Sequence, residues 1–295
     1  MFITFRLLSK YKSFYMVMGY EVSGIIDQVG SGIDSAWLGK EVIALTRFGG
    51  QADQVVVPLI QVIEKPATLS FVDAAAIPVN YLTAWMLLIE MGALKPADTV
   101  LIHNAGGGVG LAALDIAKNI GANTIGTASA GKHEFLAKRG LGIAIDYRTR
   151  DWLPQLMEAT ANKGVELIID PMGSKSWKKS YKALRSTGRL GMFGVSEVTE
   201  SSLFGKLRYL GLLRHLPVYT PIGLMNDNKS VFGVNMGRLW HEPEKSRDWL
   251  IALMQGVTEG WLKPHVDKVF SFEEVQNAHE YLESRRNIGK VILVP

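Results

Sequence analysis

Hydrophobic and polar positions change rhythm twice along the chain. From Tyr20 the run Glu21–Val29 is apolar and β-branched and ends at Gly30-Ser31-Gly32. Lys40–Leu45 and Asp53–Val57 repeat that texture between turns at Phe48-Gly49-Gly50 and Pro58, which predicts a β-rich opening. Near Ser70 the texture shifts. Phe71–Ile77 is alanine-rich and helical, Pro78 is expected to interrupt it, and Tyr81–Met91 carries Trp85, Leu88 and Ile89 at helical spacing up to a stop at Gly92. A strict alternation follows, with strands expected at Thr99–His103, Asn123–Ala128, Gly142–Tyr147, Val165–Asp170 and Arg189–Gly194. The helices between them are Val109–Ile120, Lys132–Arg139, Asp151–Ala161 and Ser174–Leu184. Strands separated in this way pair in parallel through right-handed crossovers, so the fold class is α/β. The pattern blurs through Val195–Ser230; then Val231–Val234 reads as a last strand and Ser246–Gly260 as a helix. Val266–Phe270 and Lys290–Val294 read as strands around a helix Phe272–Ser284.

The strongest chemical signal lies inside that alternation. His103-Asn104-Ala105-Gly106-Gly107-Gly108-Val109-Gly110 leaves a buried strand and opens a helix, the context a dinucleotide fingerprint requires. Main chain without Cβ lets a pyrophosphate sit against the free N–H groups of the helix start, where the dipole favours negative charge. Position 111 is leucine, so the working frame is Gly107-x-x-Gly110, with Gly110 allowing helix and sheet to approach. The expected domain is therefore a Rossmann doubly wound parallel sheet. At the end of its second strand an acid would select NAD by holding the ribose 2′-hydroxyl. The chain instead reads Thr127-Ala128-Ser129-Ala130-Gly131-Lys132. Ser129 offers a hydrogen bond, Lys132 a charge, and Tyr147 after the third strand closes the same end, so the cofactor expected is NADPH.

Composition narrows the remainder. In 295 residues, 47% hydrophobic, there is no cysteine, which removes disulfides, thiolate-bound metals and a thiol nucleophile. A net charge of +4 without clustered Lys and Arg gives no reason to expect nucleic acid. No apolar run reaches the roughly 18 residues of a membrane span, and the acid-free stretch Met1–Met18 lacks the apolar centre and cleavage site of a leader. A cytoplasmic protein is expected. His-Glu-x-x-His, Gly-x-Ser-x-Gly and Gly-Lys-[Ser/Thr] motifs are all missing, and His103 reads as a hydrogen-bonded core residue.

The landmarks Gly19-Tyr20-Glu21-x-x-Gly24, Asn80-Tyr81-Leu82-Thr83-Ala84, Ala105–Gly110, Gly126-Thr127-Ala128-Ser129, Asp170-Pro171-Met172-Gly173, Gly188-Arg189-Leu190 with Phe193-Gly194, and Gly289-Lys290-Val291 resemble the medium-chain dehydrogenase/reductase superfamily. Within it they resemble the zinc-free quinone oxidoreductase branch, because Tyr20 stands where the zinc enzymes carry a ligating histidine. The wording of Pro78–Ala84, Gly126–His133 and Lys263–Asp267 is similar to the vesicle amine transport protein-like subgroup. The resemblance implies a GroES-like β-rich catalytic domain over about 1–72, a nucleotide-binding domain over 73–230, and a return through 231–295 that begins with the last sheet strand. It implies hydride transfer from NADPH to a quinone or enone, no metal, and a homodimer. It places Thr83 near the nicotinamide, Gly107, Gly108, Val109 and Gly110 at the pyrophosphate, and Ser129, Lys132 and Tyr147 at the 2′-phosphate. Phe193, Gly194, Phe232 and Asn235 are expected along the nicotinamide. Tyr20 and Tyr81 are the candidate proton donors.

Members of that branch carry further strands before the Gly-Tyr-Glu landmark, so the GroES-like barrel is expected to lack part of its wall. That expectation motivates a second reading, a cofactor-binding regulator without turnover. Residues 203–219 interleave Lys206, Arg208 and Arg214 with leucines and aromatics and could contact an anionic membrane surface.

Overall fold

A computed structural model describes residues 17–195 and 216–295. The chain opens with β1 (Glu21–Ile25), β2 (Glu41–Leu45) and β3 (Val62–Glu64), an antiparallel sheet in that order. The strand expected at Asp53–Val57 does not form. Val56 is fully exposed there, and β2 takes its second partner from Val62–Glu64 instead. Two helices follow, α1 (Phe71–Ala75), capped by Ser70 Oγ on the Asp73 N–H, and α2 (Pro78–Trp85). Pro78 starts α2 rather than breaking a helix, since the first helical residue has no need of an N–H. From Met86 to Glu90 the coil widens to a π turn, in which the Met91 N–H reaches the Met86 carbonyl.

The centre is a six-stranded sheet. Its members are β4 (Thr99–Ile102), β5 (Asn123–Ala128), β6 (Ile143–Asp146), β7 (Val165–Asp170), β8 (Leu184–Phe193) and β9 (Ser230–Val234). They lie in the order β6-β5-β4-β7-β8-β9 and every pairing is parallel, the doubly wound arrangement. The crossovers are α3 (Gly108–Ile120), α4 (His133–Lys138), α5 (Trp152–Ala159) and α6 (Ser174–Ala183). α3 stops at Gly121, whose φ of 84° closes a left-handed cap. The sheet is covered on both faces. Val100, Ile102, Leu167 and Ile169 pack with α2 and α3, while the alternating Leu101, Ile168 and Leu190 pack with Trp152 and Leu156 of α5.

After α7 (Pro221–Asp227) and β9, helix α8 (Pro243–Thr258) crosses back to the β-rich part. There β10 (Val266–Ser271) and β11 (Lys290–Val294) pair in parallel around α9 (Val275–Glu283). Opposite ends of the sequence meet at a buried ion pair between Lys290 Nζ and Glu21, whose other oxygen accepts the Val79 N–H at 2.8 Å.

Candidate functional site

β4 ends beneath a turn built from main chain. Asn104 has a φ of 53°, its N–H donates to Thr127 Oγ1 at 3.3 Å, and its carbonyl accepts the Gly107 N–H at 2.9 Å. Among the described residues no side chain caps α3, and the N–H groups of Gly108, Val109 and Gly110, at the helix start, lack an intrahelical carbonyl partner. A Cβ at Gly110 would lie 2.3 Å from the Asn104 oxygen and 2.6 Å from that of Ala105, both backbone atoms that cannot give way. At Gly108 it would lie 2.4 Å from the Asn80 amide nitrogen. The turn is held from the far end of the chain as well, because the Gly289 N–H donates to the Gly106 carbonyl at 2.9 Å.

Past β5 the expected 2′-phosphate residues stand at different distances from solvent. Ser129 is half-buried and makes no capping bond. Tyr147 is 43% exposed at the end of β6, with the Arg148 guanidinium 6.0 Å from its ring. Lys132 passes its side chain over Gly106, and its Nζ donates to the carbonyls of Arg285 and Asn287. Burial pushes the Lys132 ammonium below its ordinary range, with Asp267 opposing that shift and Arg148 adding to it. Arg148 thus brings a second cation to this end. Its only mark in the sequence is its place beside Tyr147.

A cavity of about 510 Å³ opens where the sheet's C-terminal edge meets the β-rich part. Thr83, Val109, Phe193, Gly194 and Asn235 share its wall, and Tyr20 stands on the same wall with Leu45 and Ile63. Thr83 donates its hydroxyl hydrogen to the Val79 carbonyl at 2.6 Å. Burial raises the Tyr20 phenol above its usual range, so it stays protonated at neutral pH. Two expected residues do not reach the cavity. The Phe232 ring instead covers Gly191 inside the core, where a Cβ would meet it at 2.8 Å. Tyr81 is buried against α3, and its hydroxyl donates to Asp115 at 2.7 Å. Asp115 also takes a two-pronged contact from Arg139, at 3.1 and 2.7 Å. Burial, reinforced by the Asp115 charge, pushes the Tyr81 phenol well up.

Asn80 was visible only as part of a landmark. It lines the cavity, its Nδ2 makes a 3.4 Å contact with the Ala76 carbonyl, and its buried Oδ1 has no partner among the described residues. A buried amide oxygen without a donor, beside an uncapped helix start, fits a ligand bearing N–H or O–H groups and phosphate. His103 lies beneath the turn in a closed network: Thr127 Oγ1 at 3.0 Å, Ser180 Oγ at 3.2 Å and, through Ser180, the Asp170 carboxylate at 2.6 Å. It is the hydrogen-bonded core histidine expected from the sequence. Among the described residues no group of three His, Asp or Glu could hold a metal ion. Nor is any helix among them long and apolar enough to cross a membrane. The segment expected at a membrane surface lies mostly outside the described residues.

Comparison with known proteins agrees with this geometry. The family described as zinc-binding dehydrogenase matches residues 140–293, more than half of the chain. The human synaptic vesicle membrane protein VAT-1 homolog is 35% identical over 282 residues, covering 94% of this chain and 70% of that protein. The chain belongs to the medium-chain dehydrogenase/reductase superfamily. Its place there is the zinc-free quinone oxidoreductase-like branch, with the VAT-1 homologues. The Escherichia coli quinone oxidoreductase complexed with NADPH superposes with a TM-score of 0.80 at 29% identity, covering 94% of this chain and 82% of that one. The CurK enoyl reductase gives 0.80 at 28%, covering 95% and 80%. Superfamily membership accounts for the pairing of a doubly wound sheet with a β-rich part, and it makes the protein one of the oxidoreductase type.

Proposed function

We propose that the protein is a zinc-independent oxidoreductase that binds NADPH and reduces a quinone or an α,β-unsaturated carbonyl compound. The observation that carries this reading is the uncapped, glycine-lined start of α3, whose Val109 also lines the apolar cavity. In it, the N–H groups of Gly108, Val109 and Gly110 hold the pyrophosphate, and Ser129, Lys132, Arg148 and Tyr147 surround the 2′-phosphate. Nicotinamide, when bound, supplies the hydride. Thr83 is suited to the carboxamide, because its hydrogen is already given to Val79 and only its lone pairs remain to accept an amide N–H. Asn80 Oδ1 is the second acceptor on that wall. Val109, Phe193 and Leu45 keep the reacting atoms among apolar neighbours.

Tyr20 is the remaining candidate proton donor. Its raised pKa makes it a hydrogen-bond donor to the acceptor's carbonyl oxygen rather than a strong acid, and water completes the protonation. The segments 1–72, 73–230 and 231–295 act in this scheme as catalytic, nucleotide-binding and return segments. A second copy pairing along β9, one of the sheet's two outer strands, would make the homodimer.

Calorimetric titration of NADPH, followed by NADPH oxidation with a panel of quinones and enones, tests the proposal. Binding in the micromolar range with turnover is expected; folded protein that takes up no heat overturns it. Tight binding without turnover selects the regulator reading instead. The human relative is called a synaptic vesicle membrane protein homolog, which adds support to that reading.

A further inference from the structure

One charged side chain stands on the cavity wall. Among the described residues that line it there is no Asp, Glu, Lys or His, and the single exception to neutrality is Arg247 of α8. Its Nη1 donates to the Val62 and Leu59 carbonyls, which fixes the guanidinium on the side formed by Ile60, Gln61 and Ile63. A guanidinium has five N–H donors, and these two contacts use one nitrogen. Among the described residues no carboxylate pairs with it. The first turn of α8, which also carries Glu244, reaches the same wall through Pro243 and Ser246. A half-buried guanidinium held in place, with no counter-charge among the described residues and N–H groups left over, is ready to take an anionic group.

We infer that Arg247 selects the acceptor, and that the substrate class is an α,β-unsaturated carbonyl compound bearing a carboxylate. This rests on the reductase reading above and sharpens it. The carboxylate takes the fork of Arg247, a geometry a planar guanidinium matches and a lysine does not. The carbonyl end then lies among neutral groups, with Tyr20 and Asn235 as polar neighbours. Neutral quinones use only the apolar wall and leave the cation unanswered.

Matched acceptors test this, namely trans-3-benzoylacrylate, its methyl ester and 1,4-naphthoquinone. In the unaltered protein kcat/KM for the carboxylate should exceed that for the ester. In Arg247→Gln that preference should fall roughly ten- to a hundredfold through KM, the range of a hydrogen bond to a charged group. Arg247→Lys, which keeps charge and loses the fork, should fall between. A parallel loss for acid and ester in both variants would make Arg247 only an anchor for β3 and overturn the inference. So would a weakened NADPH affinity, which would assign the charge to the cofactor. Quenching of tryptophan fluorescence by the same acid and ester, with NADP⁺ present, reads the preference without turnover. If no acceptor is reduced but acid binding still depends on Arg247, the reductase reading fails and the anion site stands. If acid and ester bind alike, the site itself fails.

Discussion

Tyr81 and His103 are both buried polar side chains near the glycine turn, and each is tied to a different consequence. The Tyr81 hydroxyl serves Asp115, which also keeps Arg139 and the Lys263 N–H at 3.2 Å. Tyr81→Phe should therefore cost about 1.5–3 kcal/mol of stability, the net worth of one hydrogen bond to a charged group, and leave kcat within about twofold. Urea denaturation beside a steady-state assay checks both. Spacing alone could not tell this tyrosine from a donor, because the partner that claims it lies 34 residues along the chain on α3. His103 is held below its usual pKa by burial, with Asp170 acting against that shift and Lys179 with it. As pH drops below the ordinary imidazole value of about 6.5, the unfolded chain takes up a proton that the folded one resists. Stability should thus fall from pH 7 toward pH 5.5 and level off below the folded pKa. His265, also lowered by burial, adds to the slope, so His103→Gln should flatten the dependence of melting temperature on pH only in part.

Elements marked by their own apolar run between turn residues could be read from the sequence, and those made only by meeting a neighbour could not. β5, β7 and β11 begin and end where their apolar runs do, because each is flanked by charged or turn residues and buried along most of its length. The glycine turn was legible for a similar reason: a strand feeding a helix through Gly106–Gly110 has few other uses. β3 was missed because its three residues become a strand only by meeting β2, and the more β-like run before it found no partner. The start of β8 was missed because Leu184 joins β7 across a register shift. The π turn in Met86–Glu90 has an ordinary helical composition. On the cavity wall, Asn80 and Arg247 come from helices that meet only in three dimensions, so no local motif marked them as a pair. Gly110→Ala tests the turn as an element. With backbone oxygens at 2.3 and 2.6 Å from the new methyl, it should lose about 1–3 kcal/mol and at least tenfold in NADPH affinity, read by thermal melts and calorimetry.

Across the whole molecule, the Glu21–Lys290 pair joins β1 to β11 and, through the Val79 N–H, to the start of α2. Both side chains are almost wholly buried, at 7% and 6% exposure, so replacing Glu21 takes from Lys290 the carboxylate it meets there. Glu21→Gln should cost about 3–5 kcal/mol, and Glu21→Gln with Lys290→Met should recover part of it. Denaturant titration of the two single variants and the double variant gives the coupling. The cavity depends on this joint, since Tyr20 next to Glu21 faces Thr83 and Asn80 of the helix that the pair anchors.

The bond from Gly289 to Gly106 has a temporal meaning. During synthesis the glycine loop emerges from the ribosome long before the residue that braces it. A nascent chain lacking β11 carries the fingerprint yet not its finished shape, so nucleotide capture should wait until Gly289 has left the ribosome and docked.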